Sequence, residues 1–168
     1  NPSTQQYALG VLESARAAQR IQHLLEDAQS KGADLPLGIH IEATTMQPTL
    51  VLNIQPEMAL YREESFGPVC TVQRFGSLEE GVALANDSEY GLSAAVFSQN
   101  IAQALDVAKQ IDSGICHING ATVHDEAQMP FGGTKASGYG RFGSKASIAE
   151  FTELRWITIQ TQPRHYPI

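Results

Sequence analysis

The sequence predicts an α/β fold: a mainly parallel sheet with flanking helices. Three observations carry that expectation. Short apolar runs of strand length alternate with segments whose apolar residues recur every three or four positions, the period of a helix face. The joints between them are short, as in sheets built by crossover connections. The chain has 168 residues, 42% of them hydrophobic, which is enough for a compact domain with a core of its own.

The elements follow in order. From Ser14, the positions Ala17, Ala18, Ile21, Leu24, Leu25 and Ala28 trace one helical face. Lys31-Gly32 is a suitable end, because Gly tolerates a left-handed C′ conformation. Leu35 to Ile41 reads as a strand and Met46 to Ile54 as a second, with Pro48 placing that segment at an edge or bend. Pro56 to Glu64 reads as a charged connector. Val69 to Phe75 is a strand, and Ser77 with Glu80 forms a capping box for a helix reaching about Asn86. Gly91 closes a turn before a strand from Ser93 to Ser98. Ile101, Ala102, Leu105, Ala108 and Ile111 mark the next helix, Gly114 ends it, and Ile115 to Asn119 is another strand.

Residues 120–143 break this rhythm with six glycines, at 120, 132, 133, 138, 140 and 143. A brief helix from Ser144 to Glu153 follows, and Arg155 to Thr161 alternates as a final strand. No linker interrupts residues 1–153, which read as one domain, with 154–168 a terminal strand and tail.

Composition narrows the partners. The 18 acidic and 11 basic side chains give a formal charge of −7, with no basic cluster for a phosphate backbone, so nucleic acid is disfavoured. No apolar run approaches the roughly 20 residues that cross a bilayer. Two cysteines make neither a disulfide framework nor a four-thiolate site, and no pair of the five scattered histidines has the i, i+4 spacing of a helical zinc site. No metal is expected, and a reducing, cytoplasmic compartment fits. The opening Asn1-Pro2-Ser3-Thr4, without an initiator Met or a signal-peptide core, suggests a trimmed piece of something longer.

The glycine-rich segment has neither the GxxxxGK[ST] spacing of a phosphate loop nor a GxGxxG after a strand, so its glycines read as structural. Glu63-Glu64-Ser65-Phe66-Gly67-Pro68-Val69 is the unusual segment. If extended, Glu64 and Phe66 point to one side. A carboxylate beside a ring suits a ligand with hydroxyls and a flat face, the alternative being a solvated acidic turn with Phe66 in the core.

Together with Ala85-Asn86-Asp87-Ser88-Glu89-Tyr90-Gly91-Leu92-Ser93-Ala94 and the run from Pro130 to Gly143, this segment resembles the NAD(P)-dependent aldehyde dehydrogenase family. The matches are to its E-x-F-G-P-V, A-N-x-x-x-Y-G-L-x-A and P-F-G-G-x-K-x-S-G-x-G-R motifs, in order and at the family's spacing. The resemblance implies that Glu64 binds the nicotinamide ribose, that Phe66 packs beside the nicotinamide, and that Phe131 walls the aldehyde pocket. The loop from Gly120 to Met129 corresponds to the variable substrate-entrance loop, where His124 and Asp125 could touch substrate. Asn86, Gly91, Lys135 and Arg141 match as architectural positions.

In this family a cysteine thiolate forms a thiohemiacetal, hydride passes to NAD(P)+, and a glutamate activates the water that releases the acid. By the family's order the nucleophile, the base, the oxyanion donor and the coenzyme-binding half all precede Asn1, so no catalytic residue lies in this chain. Cys70 and Cys116 read as inert core thiols. His117 follows Cys116 directly and so faces the other side of its strand. Phe142, where the family often has an acid, and the strand Ile115-Cys116-His117-Ile118-Asn119 resemble the members that oxidise benzaldehyde, salicylaldehyde or vanillin.

The resulting expectation is the C-terminal part of a homo-oligomeric aldehyde dehydrogenase, a dimer or tetramer, acting on an aromatic aldehyde with NAD or NADP and inactive when isolated. A stand-alone binding or assembly module of the same fold, pairing through Arg155 to Thr161, is the alternative. Relatives that reduce activated acyl groups remain a third reading.

Overall fold

The computed structural model describes residues 9–165 and 167. The chain divides into two compact units, Asn1–Ser88 and Glu89–Ile168, a boundary that the sequence does not announce.

The first unit is organised by helix α1, Ala15–Ser30. Ser14 Oγ accepts the backbone N–H of Ala17 and caps its start. At the other end Ala33 N–H bonds to Ala28 O at 2.9 Å and Gly32 N–H to Gln29 O at 3.1 Å, with Gly32 at φ +99°. This is a full Schellman motif, which only a residue without a Cβ closes cheaply. Ala18, Ile21, Leu24, Leu25 and Ala28 are the buried positions of the helix. Burying Ile21, Leu24 and Leu25 contributes roughly 1.5–3 kcal/mol each. They form the core with Leu12, Leu35, Met46, Val51, Ile54, Met58 and Leu60.

The expected strand from Leu35 to Ile41 is mostly turn and irregular backbone, leaving β1, Ile41–Glu42, which pairs antiparallel with β2, Thr45–Met46. The expected strand from Met46 to Ile54 is broken at Gln47-Pro48, because proline lacks the N–H a ladder needs; it resumes as β3, Thr49–Leu52. Within the expected connector, Ala59–Arg62 forms a short helix, α2. β4, Val69–Val72, pairs parallel with β3 in the register Thr49↔Val69 to Leu52↔Val72. Helix α3, Leu78–Asn86, starts as expected: Ser77 Oγ accepts from Glu80 N–H, while the Glu80 carboxylate reaches past Ser77 to the N–H of Gly76 at 2.7 Å.

In the second unit, β5, Tyr90–Gly91, is followed by β6, Ser93–Val96, helix α4, Ile101–Ala108, and β7, Ile115–Ile118. β6 and β7 pair parallel, Ser93↔Ile115 to Val96↔Ile118, so α4 is the crossover of a βαβ unit. β8, Thr134–Lys135, pairs antiparallel with β5, and α5, Ser144–Glu150, follows the glycine-rich segment. Among the described residues the sheets are four separate strand pairs, two parallel and two antiparallel, rather than one mainly parallel sheet.

No strand forms over 155–161. A strand is defined by a ladder of hydrogen bonds to a partner strand, and among the described residues no ladder runs through this segment, where Leu154, Trp156, Ile157 and Ile159 are all exposed.

Candidate active site

The segment after α2 is an irregular turn, bent at Glu63 and at Gly67-Pro68. Phe66 takes φ +52°, a left-handed conformation costing a bulky residue about 1–2 kcal/mol. The extended backbone assumed for Glu64 to Phe66 is therefore absent, and alternation cannot place their side chains on one side. Contacts to α1 hold the turn instead. The guanidinium of Arg20 donates to Glu64 O at 2.7 Å and to Ser65 O at 3.1 Å, and pairs with Glu63 Oε2 at 3.2 Å. One residue on, Ile21 packs so closely against Gly67 that a Cβ there would meet Ile21 Cδ1 at 2.5 Å.

What the turn presents is chemically specific. Glu64 is exposed, and its carboxylate makes no hydrogen bond within the chain among the described residues. Phe66 is 77% exposed, so its ring does not serve the core, as the alternative reading of an acidic turn required. A free acceptor pair and an uncovered aromatic face two residues apart can hold a flat group carrying hydroxyls, each bond to the carboxylate worth about 1.5–3 kcal/mol.

Glu64 and Phe66 belong to the first unit, and His124 and Phe131 to the second. Phe131 is held by its backbone in a two-way bridge with Phe142: N–H to O distances are 2.8 and 2.7 Å, and the ring is 37% exposed. The neighbouring glycines are structural. Gly91 N–H donates to Ser137 Oγ at 2.9 Å, and a Cβ on Gly91 would collide with Thr134 Oγ1. Arg141 Nη1 donates to Gly133 O and Gly140 O at 2.8 and 2.7 Å, and Lys135 Nζ lies 3.8 Å from Asp112. Those two cations thus fasten loops. His124 and Asp125 sit in an exposed loop; the His124 ring stands edge-on to His117 with centroids 5.4 Å apart, and its Nε2 is 3.4 Å from Glu126 Oε1. Nε2 of His117 is buried without a hydrogen-bond partner among the described residues.

The cysteines differ from the expected pair of core thiols. Cys70 is exposed, because the face of β4 from Cys70 to Val72 carries no covering layer. Cys116 is half-buried, and desolvation pushes its thiol pKa up, away from the thiolate a nucleophile needs.

Arg20 is not legible from the sequence as a residue that contacts this turn. Arg20 reads as an ordinary polar position on a helix surface, and no spacing links it to a turn more than forty residues on.

The profile of the aldehyde dehydrogenase family matches residues 1–157. A vanillin dehydrogenase from a Pseudomonas species is 59% identical over all 168 residues, which cover 35% of its length. A benzaldehyde dehydrogenase (NAD+) of Pseudomonas putida is 40% identical over 99% of the chain and 34% of its own length. The crystal structure of a salicylaldehyde dehydrogenase from Pseudomonas putida complexed with salicylaldehyde superposes with a TM-score of 0.88 at 44% identity, over 95% of this chain and 33% of that one. The chain thus spans about a third of the length of the relatives it matches, and it belongs to the aldehyde dehydrogenase family.

Proposed function

We propose that this chain is the C-terminal part of an aldehyde dehydrogenase that oxidises an aromatic aldehyde to its carboxylate with NAD+ or NADP+. The observation that carries the reading is the 59% identity to a vanillin dehydrogenase, sustained over every residue of the chain. The turn at Glu64 and Phe66 supports the coenzyme assignment. Its free carboxylate suits two ribose hydroxyls and its uncovered ring suits the nicotinamide face.

In this reading Glu64 orients the ribose and Phe66 flanks the nicotinamide, while Phe131 and His124 line the aldehyde pocket. The chemistry supplied by NAD(P)+ when bound is hydride acceptance. The thiolate nucleophile, the general base and the pyrophosphate site belong to residues outside this chain, so the isolated chain has no dehydrogenase activity. Residues 1–153 form part of the catalytic domain, and 154–168 carry a segment that becomes a strand on joining subunits of a cytoplasmic homo-oligomer, a dimer or tetramer. The exposed apolar side chains from Leu154 to Ile159 support that last assignment.

The test is steady-state kinetics of the full-length protein with vanillin, salicylaldehyde and benzaldehyde, against its Glu64→Gln variant. Loss of the charge-assisted bonds raises KM for NAD(P)+ about 10-fold or more and leaves KM for aldehyde near its original value. Turnover by the 168-residue chain alone would refute the division of labour.

A further inference from the structure

We infer that Arg20 is a positioning residue for the coenzyme site, holding Glu64 and Phe66 in their relative geometry from the neighbouring helix. The inference rests on the reading of Glu64 and Phe66 proposed above.

Between the Cα atoms of Glu64 and Phe66 lie two rigid peptide planes, whose carbonyls are those of Glu64 and Ser65. Arg20 donates to both, at 2.7 and 3.1 Å. A planar guanidinium presents its donors in a fixed fork. Holding two successive carbonyls on one fork therefore sets both planes, and with them the placement of the carboxylate-bearing residue relative to the ring-bearing one. Nothing inside the turn does this. Phe66 sits in a left-handed conformation that a bulky side chain does not favour, and the Ser65 hydroxyl offers only long bonds of 3.4 Å to Gly67. The second anchor is the adjacent Ile21 against Gly67, so consecutive residues of α1 grip the two ends of the turn. The Glu63 carboxylate at 3.2 Å is an exposed pair and adds little beyond keeping the fork in place.

Removing the fork lets the planes rotate, so a smaller share of the protein holds the binding-competent turn. Apparent affinity then falls by that share. The effect appears on the coenzyme and not on the aldehyde.

The experiment measures NADH dissociation constants by fluorescence for the full-length protein without aldehyde, alongside KM values and Tm, for wild type, Arg20→Ala, Arg20→Lys, Glu63→Gln and Glu64→Gln. Arg20→Ala weakens NADH binding about 10-fold and raises KM for NAD+ in step, with kcat and aldehyde KM little changed. Arg20→Lys, a point charge that reaches one carbonyl at a time, falls between. Glu63→Gln binds as wild type. Wild-type affinity in Arg20→Ala beside weakened Glu64→Gln overturns the role of Arg20 alone. Wild-type affinity in Glu64→Gln overturns the coenzyme reading itself. If Arg20→Ala does not fold, Arg20→Lys decides: affinity equal to wild type overturns the inference, since a two-carbonyl hold is then unnecessary.

Discussion

Ile21 Cδ1 lies 2.5 Å from the position that a Cβ on Gly67 would occupy, and Ile21 is itself only 1% exposed. A flexible side-chain end could swing away, but this one is locked in the core of the first unit. Gly67→Ala is therefore an overpacking change, costing about 1–3 kcal/mol and lowering Tm by several degrees. Ile21→Val removes the offending methyl at about 0.5–1.5 kcal/mol. The two changes together cost less than their sum, because the second relieves the first. Thermal or urea unfolding of the four proteins in this cycle measures the coupling, and strict additivity would show that the two residues do not meet.

Asp27 joins two helices through one carboxylate. Oδ1 is 2.7 Å from Lys31 Nζ, and Oδ2 accepts the N–H of Ala59, the first residue of α2, at 2.9 Å. Both interactions favour the ionised form, the Lys31 hydrogen bond first and the Ala59 N–H second, and hold its pKa below the ordinary value of 3.8. A lowered folded pKa means that this stability is fully present above the unfolded pKa and is lost as pH falls through the folded value. Asp27→Asn is expected to be less stable than wild type at pH 7 and to lose part of the acid limb below about pH 4. Tm against pH for both proteins checks this; parallel curves from neutral pH down to pH 3 would sink it.

α2 also shows where a sequence stops being informative. Four residues carry no period, the N-cap Met58 has no side-chain acceptor, and the acceptor comes from Asp27, 32 residues earlier. By contrast α1, α3 and α4 carry their caps and apolar faces within their own spans, and Ser14, Ser77 and the Ile101 repeat announced them. Gly114 was legible only in part: it follows α4, but a Cβ there would collide with the carbonyl oxygen of Gly132, a loop met later in the chain. The site divides the same way. Its motif residues stood out by type and spacing. The left-handed Phe66 and the grip of Arg20 depend on a helix packed from elsewhere, and the alternation over 155–161 forms no strand at all.

The two thiols differ enough to be told apart in solution. Cys70 is exposed, whereas Cys116 is half-buried with its pKa pushed up by desolvation. Since the thiolate is the reacting species, an aromatic disulfide reagent at pH 8 is expected to titrate Cys70 at least about 10-fold faster than Cys116 in the folded 168-residue chain. Cys70→Ser removes the fast phase and Cys116→Ser the slow one. Equal rates in the folded protein, or a fast phase that survives Cys70→Ser, would contradict the structure.

Trp156 is the single tryptophan and is 89% exposed, while Ile157 and Ile159 are 70% and 84% exposed. An apolar, alternating segment that lies outside any sheet is a template for a neighbouring one, and three such side chains left in water favour burying them against a partner chain. The 168-residue chain at low concentration should therefore show a red-shifted Trp156 emission that iodide quenches freely. In the full-length assembly, the part of the emission that Trp156→Phe removes is expected to lie to the blue and to be quenched less. Ile157→Pro removes the backbone N–H that a ladder needs, so it is expected to lower the mass of the assembly in sedimentation while leaving the α1 core intact. An unchanged mass together with a still-protected Trp156 would mean that the segment packs on its own subunit and takes no part in assembly.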